Sequence, residues 1–124
     1  MQVKFLDLKK VNEPYFAQMM AATQSFLDSG WYILGQQVTS FENEYAAYCG
    51  SKHCIGISNG LDALRIIFEA YKRLGKLKDG DEVIVPANTY IASILSITQS
   101  GLTPVLVEPD AQTYNLDPQK VKAA

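Results

Sequence analysis

Apolar positions recur along the chain with two different periods, and their alternation sets the fold class. Phe16, Met19, Met20, Thr23, Phe26 and Leu27 fall three and four residues apart, the spacing of one helix face. Asn12-Glu13-Pro14 supplies the start of that helix, a capping residue followed by a proline suited to the first turn, and Ser29-Gly30 supplies its stop. The residues before it, with Val3, Phe5, Leu6 and Leu8, predict a short extended lead-in over residues 1–12. Thr39 and Glu42 have the spacing of a capping box. This predicts a second helix through Tyr48, ending at Gly50, with Phe41, Tyr45 and Tyr48 on one face.

The period then shortens. Cys54, Ile55 and Ile57 form an apolar run rich in β-branched residues, as in a buried strand, and Ser58-Asn59-Gly60 is a turn. After it Leu61, Leu64, Phe68 and Tyr71, with Ile67 beside them, return to helical spacing. The same succession repeats. Residues 82–86 read as a strand, Asn88 or Thr89 as the cap of a helix running to about Gln99, and residues 103–107 as a third strand. Ile91, Ile94, Leu95 and Thr98 are expected on the inner face of that helix, and Gly101 at its end. Asp117-Pro118 opens a last short helix. Strands alternating with helices predict an α/β fold with a mainly parallel sheet and helices on both faces. A closing helix of barely two turns, and only three strands, lead us to expect the N-terminal part of a longer protein.

The strand–turn–helix at residues 53–74 is the candidate for chemistry. Such a turn leaves unpaired backbone N–H groups at the helix start, which together with the positive end of the dipole favour an anion, commonly a phosphate. Gly60 would let a ligand approach closely, and Ser58 or Asn59 could cap the helix. The same pattern also describes an ordinary capped helix. Neither the dinucleotide nor the P-loop fingerprint is present. Trp31 and Tyr32, side by side in a loop before Gly35, either pack on the core or line a pocket.

Composition narrows the classes. Hydrophobic residues make up 48% of the 124 positions and charged residues 19%, so the chain is globular rather than disordered. A net charge of −2 offers no broad cationic surface for nucleic acid or membrane, and the basic stretch at residues 71–78 suits a solvated helix end. With no apolar run of spanning length and no apolar signal core, the expected location is the cytoplasm. His53 is the single histidine, beside the two cysteines Cys49 and Cys54. One C-x4-C pair cannot complete a tetrahedral metal site, so the cysteines read as reduced and structural, with no metal and no nucleophilic triad.

The segments FLDLKKVN, SGWYILG, FENEYAAYCGSKHCIGISNGLDAL, GDEVIVPANTYIAS and TPVLVEPDAQTYNLDP span nearly the whole chain. In that order they resemble the DegT/DnrJ/EryC1/StrS sugar aminotransferases. SNGLDAL, PANTYIAS and VEPDAQTYNLD are most similar to the branch acting on C3 of nucleotide-linked 3-keto-6-deoxy sugars. The resemblance implies a fold-type I, aspartate-aminotransferase-like transferase. Residues 1–124 would be part of its large cofactor-binding domain, with N-terminal helices over residues 1–50, the start of the sheet over residues 51–124, and the remainder beyond.

The resemblance also implies pyridoxal 5'-phosphate as cofactor. Its phosphate would be held at Asn59, Gly60, Leu61 and Asp62, largely by main-chain N–H groups, with Tyr90 stacked on its ring. Many members carry threonine where this chain has Leu61, so one hydroxyl contact is missing and the amides would bear more of the binding. Trp31, Tyr32 and Gly35 match the segment near the sugar nucleotide. The implied partners are a nucleotide-diphosphate keto sugar, an amino donor such as glutamate, and a second copy of the full-length chain. The Schiff-base lysine and the acid that pairs with the pyridinium nitrogen lie, in the family, beyond Ala124. Lys52, Lys76, Lys78, Lys120 and Lys122 match none of the motifs around that lysine. No catalytic residue is therefore assigned, and the fragment alone is expected to be inactive. Related sugar dehydratases replace the lysine with histidine, which leaves that reaction open. A truncated, non-catalytic phosphate-binding product stays open as well.

Overall fold

Two compact units, divided between Gly56 and Ile57, make up the computed structural model, which describes residues 3–124. In the first, helix α1 (Leu8–Asn12) leads through a 3₁₀ turn (Glu13–Tyr15) to α2 (Phe16–Ser29), and a loop joins α2 to α3 (Gln36–Cys49). The lead-in is thus partly helical rather than extended. Asp7 explains the difference, since its carboxylate accepts from the Lys10 N–H at 3.4 Å and caps a helix that carries Lys9 and Lys10 at its C-terminal end. Met1 and Gln2, part of the same expectation, lie outside the described residues. Both longer helices end where expected, on Gly30 (φ 63°) and Gly50 (φ 67°), in the left-handed conformation that glycine adopts without penalty.

Helix α3 starts earlier than the capping box suggested. Gly35 is its N-cap, and the Thr39 N–H already bonds to the Gly35 carbonyl at 3.3 Å, so Thr39 lies inside the helix. Glu42 is engaged elsewhere, its Oε1 accepting from the Gly56 N–H at 2.7 Å. Phe41, Tyr45 and Tyr48 do form a row, with ring centroids 5.5 Å and 6.3 Å apart.

The second unit contains α4 (Gly60–Arg73), β1 (Glu82–Pro86), α5 (Ile91–Gln99), β2 (Thr103–Val107) and α6 (Pro118–Ala123). Strands β1 and β2 pair in parallel, Glu82 opposite Thr103 and Pro86 opposite Val107, with α5 as the crossover of a βαβ unit. The strand expected over residues 54–57 does not form. Its side chains have strand character, but a strand also needs a neighbour for its N–H and C=O groups. None of the described strands lies alongside, and Ile55 is 75% exposed.

Val85, Ile97 and Leu102 are the buried centre, from β1, α5 and the turn before β2. Phe68 from the apolar face of α4 packs against them, with Leu77, Val83 and Ile94. Each such side chain contributes about 1.5–3 kcal/mol when fully buried, and this cluster joins α4 and α5 to the strands. The cap of α5 is Tyr90, one residue after the pair expected to supply it. Thr89 and Asn88 are otherwise occupied: the Thr89 hydroxyl donates to Ser93 Oγ at 3.0 Å, and Asn88 Nδ2 donates to the Tyr114 carbonyl at 3.2 Å. Asp117 caps α6 as expected, accepting from the Gln119 N–H at 2.9 Å. Among the described residues no helix is long and apolar enough to cross a membrane.

Candidate functional site

Helix α4 begins on Asn59, whose extended backbone (φ −162°, ψ 168°) lets its side chain turn back over the first turn. Asn59 Oδ1 accepts from the Asp62 N–H at 3.0 Å. The Gly60 and Leu61 N–H groups meet no acceptor among the described residues, as expected for the opening amides of a helix. A Cβ built on Gly60 would meet nothing within 4 Å, so the approach to these amides is open.

An open cavity of about 750 Å³ lies on this helix start. Asn59, Gly60, Leu61, Ala63 and Leu64 line one side of it, and Tyr90, Ile91, Ala92, Ser93 and Leu95 the other. The fold therefore brings two helix N-termini to one concavity, that of α5 following the C-terminal end of β1, where ligands of parallel α/β sheets bind. Tyr90 is 79% exposed, its ring free of any aromatic partner among the described residues. Its position as the cap of α5, without a capping bond of its own, leaves the side chain to the cavity.

Of the residues singled out from the sequence, Asn59, Gly60, Leu61 and Tyr90 meet at this cavity. Asp62 stands differently. Its amide is taken up by Asn59, and its carboxylate receives Ser58 Oγ at 3.1 Å and Asn59 Nδ2 at 2.9 Å. Six further residues line the cavity, Ala63, Leu64, Ile91, Ala92, Ser93 and Leu95, and the sequence alone does not mark them as site residues. Ile91 and Leu95 looked like an inner helix face, and only the convergence of α4 and α5 gives them a cavity to line. Ser93, a lone hydroxyl in the first turn after Tyr90, was the one signal available in the sequence.

Trp31 and Gly35 line a separate groove of about 350 Å³ in the first unit, with Ser29, Leu34, Gln36, Gln37 and Thr39. The indole Nε1 donates to the Ile33 carbonyl at 2.7 Å. A Cβ on Gly35 would stand 3.0 Å from Trp31 Cδ1 and 3.2 Å from its carbonyl oxygen, so glycine permits the close approach. Tyr32 is not part of the groove wall. Its hydroxyl donates to the Leu27 carbonyl at 3.1 Å, and its ring lies 5.0 Å from that of Phe26.

Cys49 and Cys54 are both free thiols. The hydrogen bond between Tyr45 and Cys49 holds the tyrosine phenol above its usual value, helped by the proximity of the thiols. None of the chain's lysines lines the cavity.

The profile of the DegT/DnrJ/EryC1/StrS aminotransferase family matches residues 16–124. A dTDP-3-amino-3,6-dideoxy-alpha-D-galactopyranose transaminase from Aneurinibacillus thermoaerophilus is 55% identical over 120 residues, 97% of this chain and 32% of that protein. Among solved structures, S. venezuelae DesV in complex with a ketimine intermediate superposes with a TM-score of 0.87 at 47% identity, covering 98% of this chain and 32% of its own. An E. coli GDP-4-keto-6-deoxy-D-mannose-3-dehydratase with bound hydrated PLP gives a TM-score of 0.79 at 34% identity, covering 85% of this chain and 28% of its own. The chain spans about a third of the length of the curated relatives it matches.

Proposed function

Because the chain belongs to the DegT/DnrJ/EryC1/StrS aminotransferase family, we propose that it is part of the large domain of an enzyme that transfers an amino group to a nucleotide-linked keto sugar. Its fold is that of the fold-type I, aspartate-aminotransferase-like transferases. The cofactor is pyridoxal 5'-phosphate, which when bound supplies an electron sink for moving the amino group. The donor is an amino acid such as glutamate, and the acceptor a dTDP-linked 3-keto-6-deoxy sugar on a route to deoxyamino sugars of surface polysaccharide.

One observation carries this reading: two free main-chain amides, at Gly60 and Leu61, and an exposed tyrosine ring, Tyr90, line one cavity. The residues present fit the cofactor at both features. The amides and the positive end of α4 suit a phosphate dianion, and open space at Gly60 admits its oxygens. Tyr90 offers a flat face for an aromatic ring. Asn59 and Asp62 complete the cradle as the cap of that turn. The chain's own residues would thus bind and orient the cofactor, and Leu64, Ile91 and Leu95 give the cavity an apolar wall. Trp31 and Gly35 hold part of the sugar nucleotide, and Tyr32 lies in the same segment. The Schiff-base lysine and the acid facing the pyridinium nitrogen belong to chain beyond Ala124, in a cytoplasmic homodimer.

The test is the reaction of the full-length protein with glutamate and a dTDP-3-keto-6-deoxyhexose. A sugar product carrying nitrogen, formed mole for mole with 2-oxoglutarate, supports the proposal. The similarity to a dehydratase, at 34% identity, favours a second reading in which the keto sugar loses a hydroxyl and gains no nitrogen. That product would replace the first reading with the second.

A further inference from the structure

Ser58, Asn59, Asp62 and Arg65 form a side-chain network at the start of α4. Asn59 and Asp62 grip each other reciprocally: Asn59 Oδ1 accepts from the Asp62 N–H at 3.0 Å, and Asn59 Nδ2 donates to Asp62 Oδ2 at 2.9 Å. The same Asp62 oxygen accepts from Ser58 Oγ at 3.1 Å, while Arg65 Nη1 stands 3.5 Å from Asp62 Oδ1.

An asparagine cap has two ends of similar shape and opposite polarity. Alone it could present either its oxygen or its NH₂ group to the helix start, and only the oxygen is a cap. The Asp62 carboxylate removes that freedom, because it accepts from the NH₂ end and thereby turns the oxygen onto the Asp62 amide. The third amide of the turn is so withdrawn, and Gly60 and Leu61 are left as a defined pair of donors. The carboxylate charge, which would otherwise oppose an anion, is partly matched by Arg65 and by the donors it receives.

We propose that Asp62 is a positioning residue, acting through Asn59 to fix the first turn of α4 so that the Gly60 and Leu61 amides face a phosphate monoester. This rests on the cofactor reading above. Asp62 does not touch the ligand in this arrangement, so its effect falls on the phosphate and not on the ring.

Equilibrium dialysis with pyridoxal phosphate and with pyridoxal, which has the same ring and no phosphate, reads that difference as a ratio of affinities. Asp62→Ala is expected to lower the ratio about tenfold, the worth of one ordered hydrogen bond, while pyridoxal affinity stays put. Alanine is a good helix former, and Asp62→Asn, which keeps an acceptor for Asn59, provides a second fold-preserving variant expected to retain most of the ratio. A merely structural role would weaken both ligands equally in Asp62→Ala and would overturn the inference. So would an Asp62→Asn variant as impaired as Asp62→Ala, since an acceptor for the Asn59 NH₂ group would then not be what the phosphate affinity depends on. A wild-type protein that binds the two ligands equally would instead overturn the phosphate cradle itself.

Discussion

Lys72, near the C-terminal end of α4, reaches across to bond both the Asp79 carboxylate and the Ser100 carbonyl, pinning the end of one helix to the end of the other. The Lys72 side chain is 19% exposed and that of Asp79 83%. The carbonyl contact is therefore the sheltered one and the carboxylate contact the solvated one.

That asymmetry fixes an order of effects. Lys72→Met leaves a part-buried carbonyl without its donor and is expected to destabilise the protein by about 1–2 kcal/mol. Asp79→Ala removes only a water-screened charge pair, with an expected loss of about 0–1 kcal/mol. Urea unfolding of both variants checks the ranking. The reverse order would mean that the ion pair, not the carbonyl bond, holds the helices together.

Gly60 separates stability from binding. Its backbone angles are not in the left-handed region and nothing crowds its Cβ position, so Gly60→Ala is expected to raise stability by about 0.4–1 kcal/mol. The added methyl stands where a phosphate oxygen would approach, and pyridoxal phosphate affinity is expected to fall. Thermal melting and dialysis on the same samples should therefore move in opposite senses.

Tyr90 is too exposed to matter for the fold. Tyr90→Ala should leave the melting temperature unchanged and weaken cofactor binding about threefold to tenfold, the range for a stacked aromatic pair. Tyr90→Phe should bind as the wild type does. A hydroxyl-dependent loss in the phenylalanine variant would point to a hydrogen bond in place of stacking.

Asp110 organises the loop after β2. Its Oδ1 accepts from the Thr113 N–H at 2.8 Å, the Thr113 hydroxyl at 3.0 Å and the Gln112 N–H at 3.0 Å. These bonds, that from the Thr113 amide first, hold its carboxyl below the usual value. A depressed folded-state pKa gives stability that is fully present above the unfolded value of about 3.9 and is lost as pH falls through the lower folded one. Acid titration should therefore loosen the loop around the Pro109–Leu116 bridge only below about pH 4. Asp110→Asn should show no such transition in amide exchange at Thr113.

What could be read from the sequence was local. The β1 and β2 segments follow from apolar runs between turn formers, and the stops at Gly30, Gly50 and Gly101 follow from backbone angles that other residues avoid. The Asn59 cap is likewise visible, because cap and target lie three residues apart. Whatever depends on a distant partner was not legible. Residues 54–57 have strand chemistry without a neighbouring strand, and Glu42 abandons its apparent capping box for the Gly56 amide. Tyr32 was equally opaque, being folded back on α2 through Leu27. The meeting of Tyr90 with Gly60 is also a product of packing, since it depends on Phe68 and Ile97 holding α4 against α5.

Backbone amide NMR during titration with pyridoxal phosphate reads directly whether the start of α4 grips the phosphate. The largest downfield shifts are expected at Gly60 and Leu61, with little change at the Asp62 amide already bonded to Asn59, and neither effect with pyridoxal. Shifts centred away from the start of α4, or equal shifts with both ligands, would contradict it.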